Sequence, residues 1–453
     1  MKNLIQSGYI KSMEKAYIFT YDGELLQLVP RNEEDIKPYD FLKNKNINCD
    51  ILEADTIRFE KIFFLNCQLK VVGSSYIAKP AGYVCFRNGE RKFDAVTFKG
   101  GIINYFYRPN HIIDKEKTQY DYNTGGAELK LKTFDETSKK IEVEVAGKKA
   151  ILTLGVTLPG EPLLMRINYN FGKPQSIFRL KFDEPVDVSE FRMVYMWIYN
   201  LMTFLNFRKD ISLGEIELEK RNEKDNIEQI GDVYLNEKEK KDITNIEKII
   251  GYRFVFDHID ELLQIVNREN LNLLFIPRNE KEGMYISAEK YMICCTSFES
   301  VFNFAFPNAK TENSQKANEV KSEFLEYIEA KRNEYRGKDG KKRKEFQKYA
   351  AIINLLDFSL EEKFDYCNSK YGKCVDEYKK AVLQTFTIEQ DQLQELSAQF
   401  AKKRNLLIHS SMGEFDSVHI FAYLLARAFI YAMILDKANI DSLMISQAID
   451  KIL

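Results

Sequence analysis

The sequence predicts an α+β protein, with an antiparallel β-rich, sandwich-like domain over residues 1–285 and an all-α helical bundle over residues 286–453. Three observations predict it. Up to about residue 185, short apolar or alternating stretches rich in Ile, Val, Phe and Tyr are separated by turn residues. Near Ser189 the apolar period lengthens to three and four residues. The chain has 453 residues, 45% hydrophobic and 30% charged, which exceeds one ordinary core and is enough for two.

Taken in order, "YIFTYDGELLQLVP", "TIRFEKIFFLNCQLKVV", "KIEVEVAGKKAILTLGVTL" and "LMRINYNF" read as strands, with turns at Asp22-Gly23, Asn88-Gly89, Gly147, Pro159-Gly160 and Gly172-Lys173-Pro174. Many short strands point to a sandwich or a barrel, and no strand–helix alternation announces a parallel nucleotide-binding sheet. "SEFRMVYMWIYNLMTFLNF" carries Phe191, Val194, Tyr195, Ile198, Met202 and Leu205 at helical steps, and Ser189 is the expected N-cap. This helix holds the only tryptophan, Trp197, and is expected to close the β domain. Residues 215–285 read as a mixed connector: strands "GEIELEK", "IGDVYLN", "YRFVF" and "LNLLFIP", and a helix near 259–267. Helices are expected at 287–306, 313–336, 345–383, 388–411, 416–436 and 441–452, the last two capped by Asp416 and Asp441.

Composition narrows the function. A net charge of −2 gives no global pull toward nucleic acid or anionic membrane, so RNA binding would need a local basic patch. The apolar run Val418–Leu435 is interrupted by His419 and Arg427, and reads as a buried bundle helix with no membrane role. Seven cysteines without a CxxC pair, and no signal-peptide pattern, point to reduced thiols in a cytoplasm. No zinc-ligand spacing appears, and no cofactor is called for. Two basic elements stand out. "RGKDGKKRKEFQK", 336–348, has seven basic and two acidic residues and reads as a loop carrying Lys341, Lys342, Arg343 and Lys344; the other is Lys402-Lys403-Arg404. A solvated surface is the plain reading of either, and phosphate binding the functional one.

The stretch "AKKRNLLIHSSMG", 401–413, gathers Arg404, Asn405 and His409 in one of the late helices. Asn405 and His409 share a helical face, whereas Arg404 and His409 stand about 140° apart. Ser410, Ser411 and Gly413 are expected to stop the helix. Such side chains suit cleavage of RNA by its own 2′-hydroxyl: histidine moves a proton, arginine supports charge on the phosphoryl oxygens, and asparagine orients either. That chemistry needs no metal. One set is sparse, and two copies meeting across a symmetric dimer would complete it. The bland alternative is a polar helix face that happens to contain a histidine. A second stripe, His419, Tyr423 and Arg427, could line the same cleft, satisfy a dimer interface, or simply be the wet edge of a helix. His111 and His258 read as loop or cap residues.

At Arg404, Asn405 and His409 the sequence resembles the HEPN superfamily, whose signature is Arg, four to six residues, then His, often with a polar residue after the Arg. A β-rich half before such a domain resembles the ApeA type of anti-phage protein, as does the passage "MWIYNLMTFLNFRKDISLGEIELEK", 196–220. The resemblance implies a metal-independent endoribonuclease, toxin-like, acting in abortive infection. It implies RNA, with tRNA a common target, as substrate, Arg404 and His409 in catalysis with Asn405 in support, and a homodimer or higher homo-oligomer. The N-terminal half would sense a phage-derived trigger or restrain the nuclease. A helical module that binds RNA or a partner without cutting is the rival expectation.

Overall fold

The computed structural model describes residues 6–12, 15–31, 46–57, 60–72, 75–87, 89–121, 126–128, 130–158, 173–222, 227–236, 248–269, 271, 273–307, 312–354, 359–386, 388, 390–409 and 414–453. The chain is mixed α+β and divides into two compact units, Met1–Gln264 and Ile265–Leu453. The expected boundary at 285/286 falls inside the second unit.

Unit 1 is an antiparallel sheet, and its strands are β1 (Gln6–Ser12), β2 (Lys15–Tyr21), β3 (Leu26–Pro30), β4 (Asn46–Thr56), β5 (Lys61–Val72), β6 (Ser75–Ala78), β7 (Gly82–Phe86), β8 (Lys92–Lys99), β9 (Gln119–Asp121), β10 (Gly126–Glu128), β11 (Lys139–Val145), β12 (Lys148–Thr157), β13 (Gln175–Asp187), β14 (Glu215–Arg221) and β15 (Ile227–Leu235). Among the described strands, thirteen form one sheet in the order β11-β12-β13-β8-β14-β15-β7-β5-β4-β1-β2-β3-β6, and β9 and β10 pair separately. The expected sandwich gives way to a single sheet that rolls up at one end. The cause is the length of β5: one of its edges pairs with β7 over Lys61–Leu65 and with β6 over Lys70–Val72. Because β6 also pairs with β3, strands β5-β4-β1-β2-β3-β6 close into a six-stranded barrel. Alternation fills it, as in the in–out pattern of β3. Phe64, fully buried, meets Phe19 and Tyr21 edge-on at 5.5 and 5.2 Å.

Local chemistry explains the turns. Asp22 Oδ1 accepts from the Glu24 and Leu25 amides at 2.9 and 2.7 Å, which bends β2 into β3. Ala146 and Gly147, at φ +54° and +77°, make the two-residue link from β11 to β12. The open part of the sheet is covered by helix α1 (Phe191–Asn206), where Phe191 packs on Phe93 and Tyr195 on Phe98. Its start is set by Asp187, whose side chain caps the 3₁₀ turn Val188–Glu190 ahead of α1, and the expected Ser189 cap is corrected accordingly. At the sheet's far end, helix α2 (Ile259–Val266) attends to β11. Asp260 Oδ1 accepts from the Glu144 amide at 2.8 Å, and Gln264 Nε2 donates to the Glu144 carbonyl at 2.5 Å. "YRFVF" and "LNLLFIP" are not strands. The first is a helical turn, Tyr252–Val255, and the described residues of the second, 271 and 273–277, hold a turn at Leu274–Phe275 and no strand, because short apolar runs carry no decisive period. "LMRINYNF" lies outside the described residues.

Unit 2 is helical: α3 (Ala288–Ala305), α4 (Glu312–Glu334), α5 (Gly340–Asn354), α6 (Leu360–Tyr371), α7 (Asp376–Leu383), α8 (Leu396–His409), α9 (Ser417–Lys437) and α10 (Ser442–Ile452). Asp416 and Asp441 cap α9 and α10 as expected. The expected helix 345–383 is divided, and a capping box of Ser359 and Glu362 starts α6. The presumed basic loop is the first turn of α5, because Asp339 Oδ1 accepts from the Lys341 and Lys342 amides at 3.0 and 3.1 Å. Helix α9 is the axis of the unit. It is long and apolar enough to cross a bilayer, yet most of it is buried inside the unit. Tyr423 stacks on Tyr291 at 6.0 Å and Phe429 meets Phe364 at 5.3 Å.

Candidate functional site

Helix α8 presents the motif, and its rotation decides which side chains meet. It is continuous from Leu396 to His409, so Arg404 and His409 diverge as an ideal helix requires. Arg404 is half-buried and turned toward α3. Its Nη2 lies 3.5 Å from Glu299 Oε2, and its Nη1 donates to Asn405 Oδ1 at 3.2 Å. His409 is the last helical residue and is exposed, as are Asn405 and Lys402. Lys402, Asn405 and His409 step by three and four and therefore line one exposed face. Leu406 and Ile408, each 52% exposed, flank it. The structure thus joins Arg404, Asn405 and Glu299, and leaves His409 outside that group. Glu299 was missed in the sequence. Its signal was a carboxylate among the aromatic and aliphatic residues of the second half of α3.

Lys403 points the other way. It is 4% exposed, and its ammonium donates to the Glu414 carbonyl at 2.6 Å and lies 4.6 Å from the Phe415 ring. It pins the segment that follows α8 and is corrected from the set of expected phosphate contacts. The expected stop at Ser410, Ser411 and Gly413 lies outside the described residues. Lys341, Lys342, Arg343 and Lys344 are all exposed on the first turn of α5.

The second stripe is interior for two of its three members. Tyr423 and Arg427 are each 5% exposed, with the guanidinium 5.4 Å from the Tyr423 ring centre. Burial pushes the Tyr423 hydroxyl up to about 12. A wet helix edge is therefore excluded for them. His419 has its Nδ1 2.7 Å from Asp416 Oδ1, close enough for an ion pair but without hydrogen-bond alignment. Burial holds its imidazole below the ordinary value, and Asp416 partly offsets this. In unit 1, His111 sits edge-on to Tyr107 at 4.4 Å, and burial lowers it as well. Among the described residues no three His, Cys, Asp or Glu side chains gather as metal ligands. Compared with known proteins, the chain matches no family model, no curated protein and no solved structure.

Proposed function

We propose that unit 2 is a metal-independent HEPN-type endoribonuclease that acts as a homodimer or larger assembly in anti-phage defence. Two copies of α8 would meet to complete the active site. The observation that carries this reading is the exposed face of α8. Lys402, Asn405 and His409 form a polar line between uncovered Leu406 and Ile408. Leu406 and Ile408 together leave an apolar border on both sides of the histidine's face, which a second copy of α8 would cover. Packing α8 against its symmetry mate would cover them and bring the His409 of each copy toward the Arg404 of the other.

In that arrangement His409 would move the proton of the 2′-hydroxyl or of the 5′-leaving oxygen. Arg404, oriented by Glu299 and Asn405, would offer its remaining N–H groups to the phosphoryl oxygens. Lys402 would approach the RNA backbone. The β-rich unit would sense infection or restrain cleavage, and tRNA is the first substrate to try.

The test is incubation of the full chain with total tRNA in EDTA, beside His409→Ala. Fragments ending in 2′,3′-cyclic phosphate from wild type alone are expected. Cleavage that vanishes in EDTA and returns with magnesium would refute the mechanism. RNA retained without cutting, in infected-cell extract as in buffer, would favour a binding module.

A further inference from the structure

Helices α4 and α5 form a hairpin whose two outer stripes match each other. On α4, Val320, Phe324, Tyr327 and Lys331 follow at steps of four, three and four. The first three are 52%, 57% and 60% exposed. On α5, Lys342, Glu345 and Tyr349 follow at steps of three and four, and Tyr349 is 56% exposed. The two stripes lie on one side of the hairpin: at 100° per residue each is turned about 70° the same way from its own seam residue, Ile328 on α4 and Phe346 on α5, and because the helices run antiparallel both turns lead to the same side. The inner seam is made by other residues: Ile328 is buried, and Tyr335 stacks on Phe346 at 5.8 Å. One side of the hairpin therefore carries four large apolar side chains in water.

Depth from the hairpin tip follows from a rise of about 1.5 Å per residue, counted from Glu334 on α4 and Gly340 on α5. Along α4, Glu334 is at the start, Lys331 at about 4.5 Å, Tyr327 at about 10 Å and Phe324 at about 15 Å. Along α5, Lys342 is at about 3 Å, Glu345 at about 7.5 Å and Tyr349 at about 13.5 Å. From the tip inward the order is acid, base, ring on α4 and base, acid, ring on α5.

We propose that this face binds a second copy of the same chain, with the two-fold axis along the hairpin, to give an antiparallel four-helix bundle. Each α4 then lies against the other copy's α5 at equal depth. Glu334 meets Lys342, Lys331 meets Glu345, and Phe324 meets Tyr349, twice over. Within each copy Lys331 pairs with Glu334 at 2.9 Å and Glu345 with Lys348 at 2.7 Å, so the contact extends these pairs across the axis. A crosswise axis through the rings would set α4 on α4 and bring Lys331 opposite Val320, with no charge partner across the contact. The stripe's two acids and two bases cancel, which removes the pull that a phosphate backbone would require. Arg343 and Lys344 stand about 100° and 200° round the helix from Lys342 and stay outside the contact. This interface is separate from the one proposed on α8, so a chain that uses both assembles beyond two copies.

The test is the mass of the full chain by native mass spectrometry and sedimentation, in a Leu406→Lys/Ile408→Lys background that removes association through α8. Pairs are expected to persist there. Adding Lys331→Glu sets like charges face to face and should weaken pairing at least tenfold, and adding Glu345→Lys as well should restore it. Phe324→Ser should break pairing without rescue, and unchanged circular dichroism would separate lost contact from lost fold. A background protein that is monomeric at all concentrations would overturn the proposal. So would pairing that ignores Lys331→Glu, or hairpin variants that keep their mass and lose RNA retention. If hairpin variants alone reduce wild type to monomers, the hairpin interface stands and the α8 interface fails.

Discussion

At the scale of single residues, two adjacent lysines have opposite fates. Lys403 is buried with its ammonium on the Glu414 carbonyl. Its change to Ala should cost about 1.5–3 kcal/mol, the usual worth of a buried hydrogen bond to a charged group, read as a lower denaturation midpoint. Lys402→Ala should leave stability alone and weaken RNA binding at low salt. His409 is exposed, so His409→Ala should keep the fold while reducing cleavage by about 100-fold or more, the worth of a general acid–base group. A titration follows from His419 and His111. Burial holds both below the ordinary value near 6.5, so the unfolded chain binds their protons more readily. Stability is then full above pH 6.5 and falls as pH drops below it. Urea midpoints at pH 7.5 and 5.5 should differ in wild type and differ less in His419→Gln. The placement of Arg404, Asn405 and His409 on one late helix was legible because residue types and spacing lie within that helix. Glu299 and the burial of Lys403 were not, since both depend on which neighbour each face of α8 meets.

At the scale of elements, strong periods and caps were readable and short apolar runs were not. Asp416 and Asp441 were legible as N-caps, and Asp416→Ala should cost about 1 kcal/mol by removing the bond it accepts from the His419 amide. The helical turn at Tyr252–Val255 was missed because four or five apolar residues fit either period. Glycines and charge by themselves suggest a loop at the first turn of α5, yet one carboxylate, Asp339, is enough to start a helix there. In the barrel, Phe64→Ala should cost about 3–5 kcal/mol, because it empties the space between Phe19 and Tyr21. Denaturant melts followed by the β-sheet signal would measure it.

At the scale of the whole molecule, the division into a β-rich part and a helical part was legible from the change of apolar period. The roll of the sheet was not, because it depends on β5 offering one edge to two distant strands. Net charge near neutrality leaves RNA binding to isolated cations. With Lys341, Arg343, Lys344 and Lys402 as the phosphate contacts, the slope of log K against log salt should be about −3 for single-stranded RNA. Neutralising Lys341, Arg343 and Lys344 should remove about three quarters of that slope.

The small helix α2 has a consequence beyond its size. A flat sheet of thirteen strands would expose two rows of unpaired backbone groups, but rolling one end onto β5 leaves β11 as the one free end strand of the thirteen. At Glu144 of that edge, Asp260 and Gln264 take up both the amide and the carbonyl. They occupy the place where another molecule's strand would dock, so α2 serves as a guard against aggregation by edge-to-edge pairing. Asp260→Ala with Gln264→Ala should leave the barrel intact and raise thioflavin-positive assembly on warming, seeded at β11.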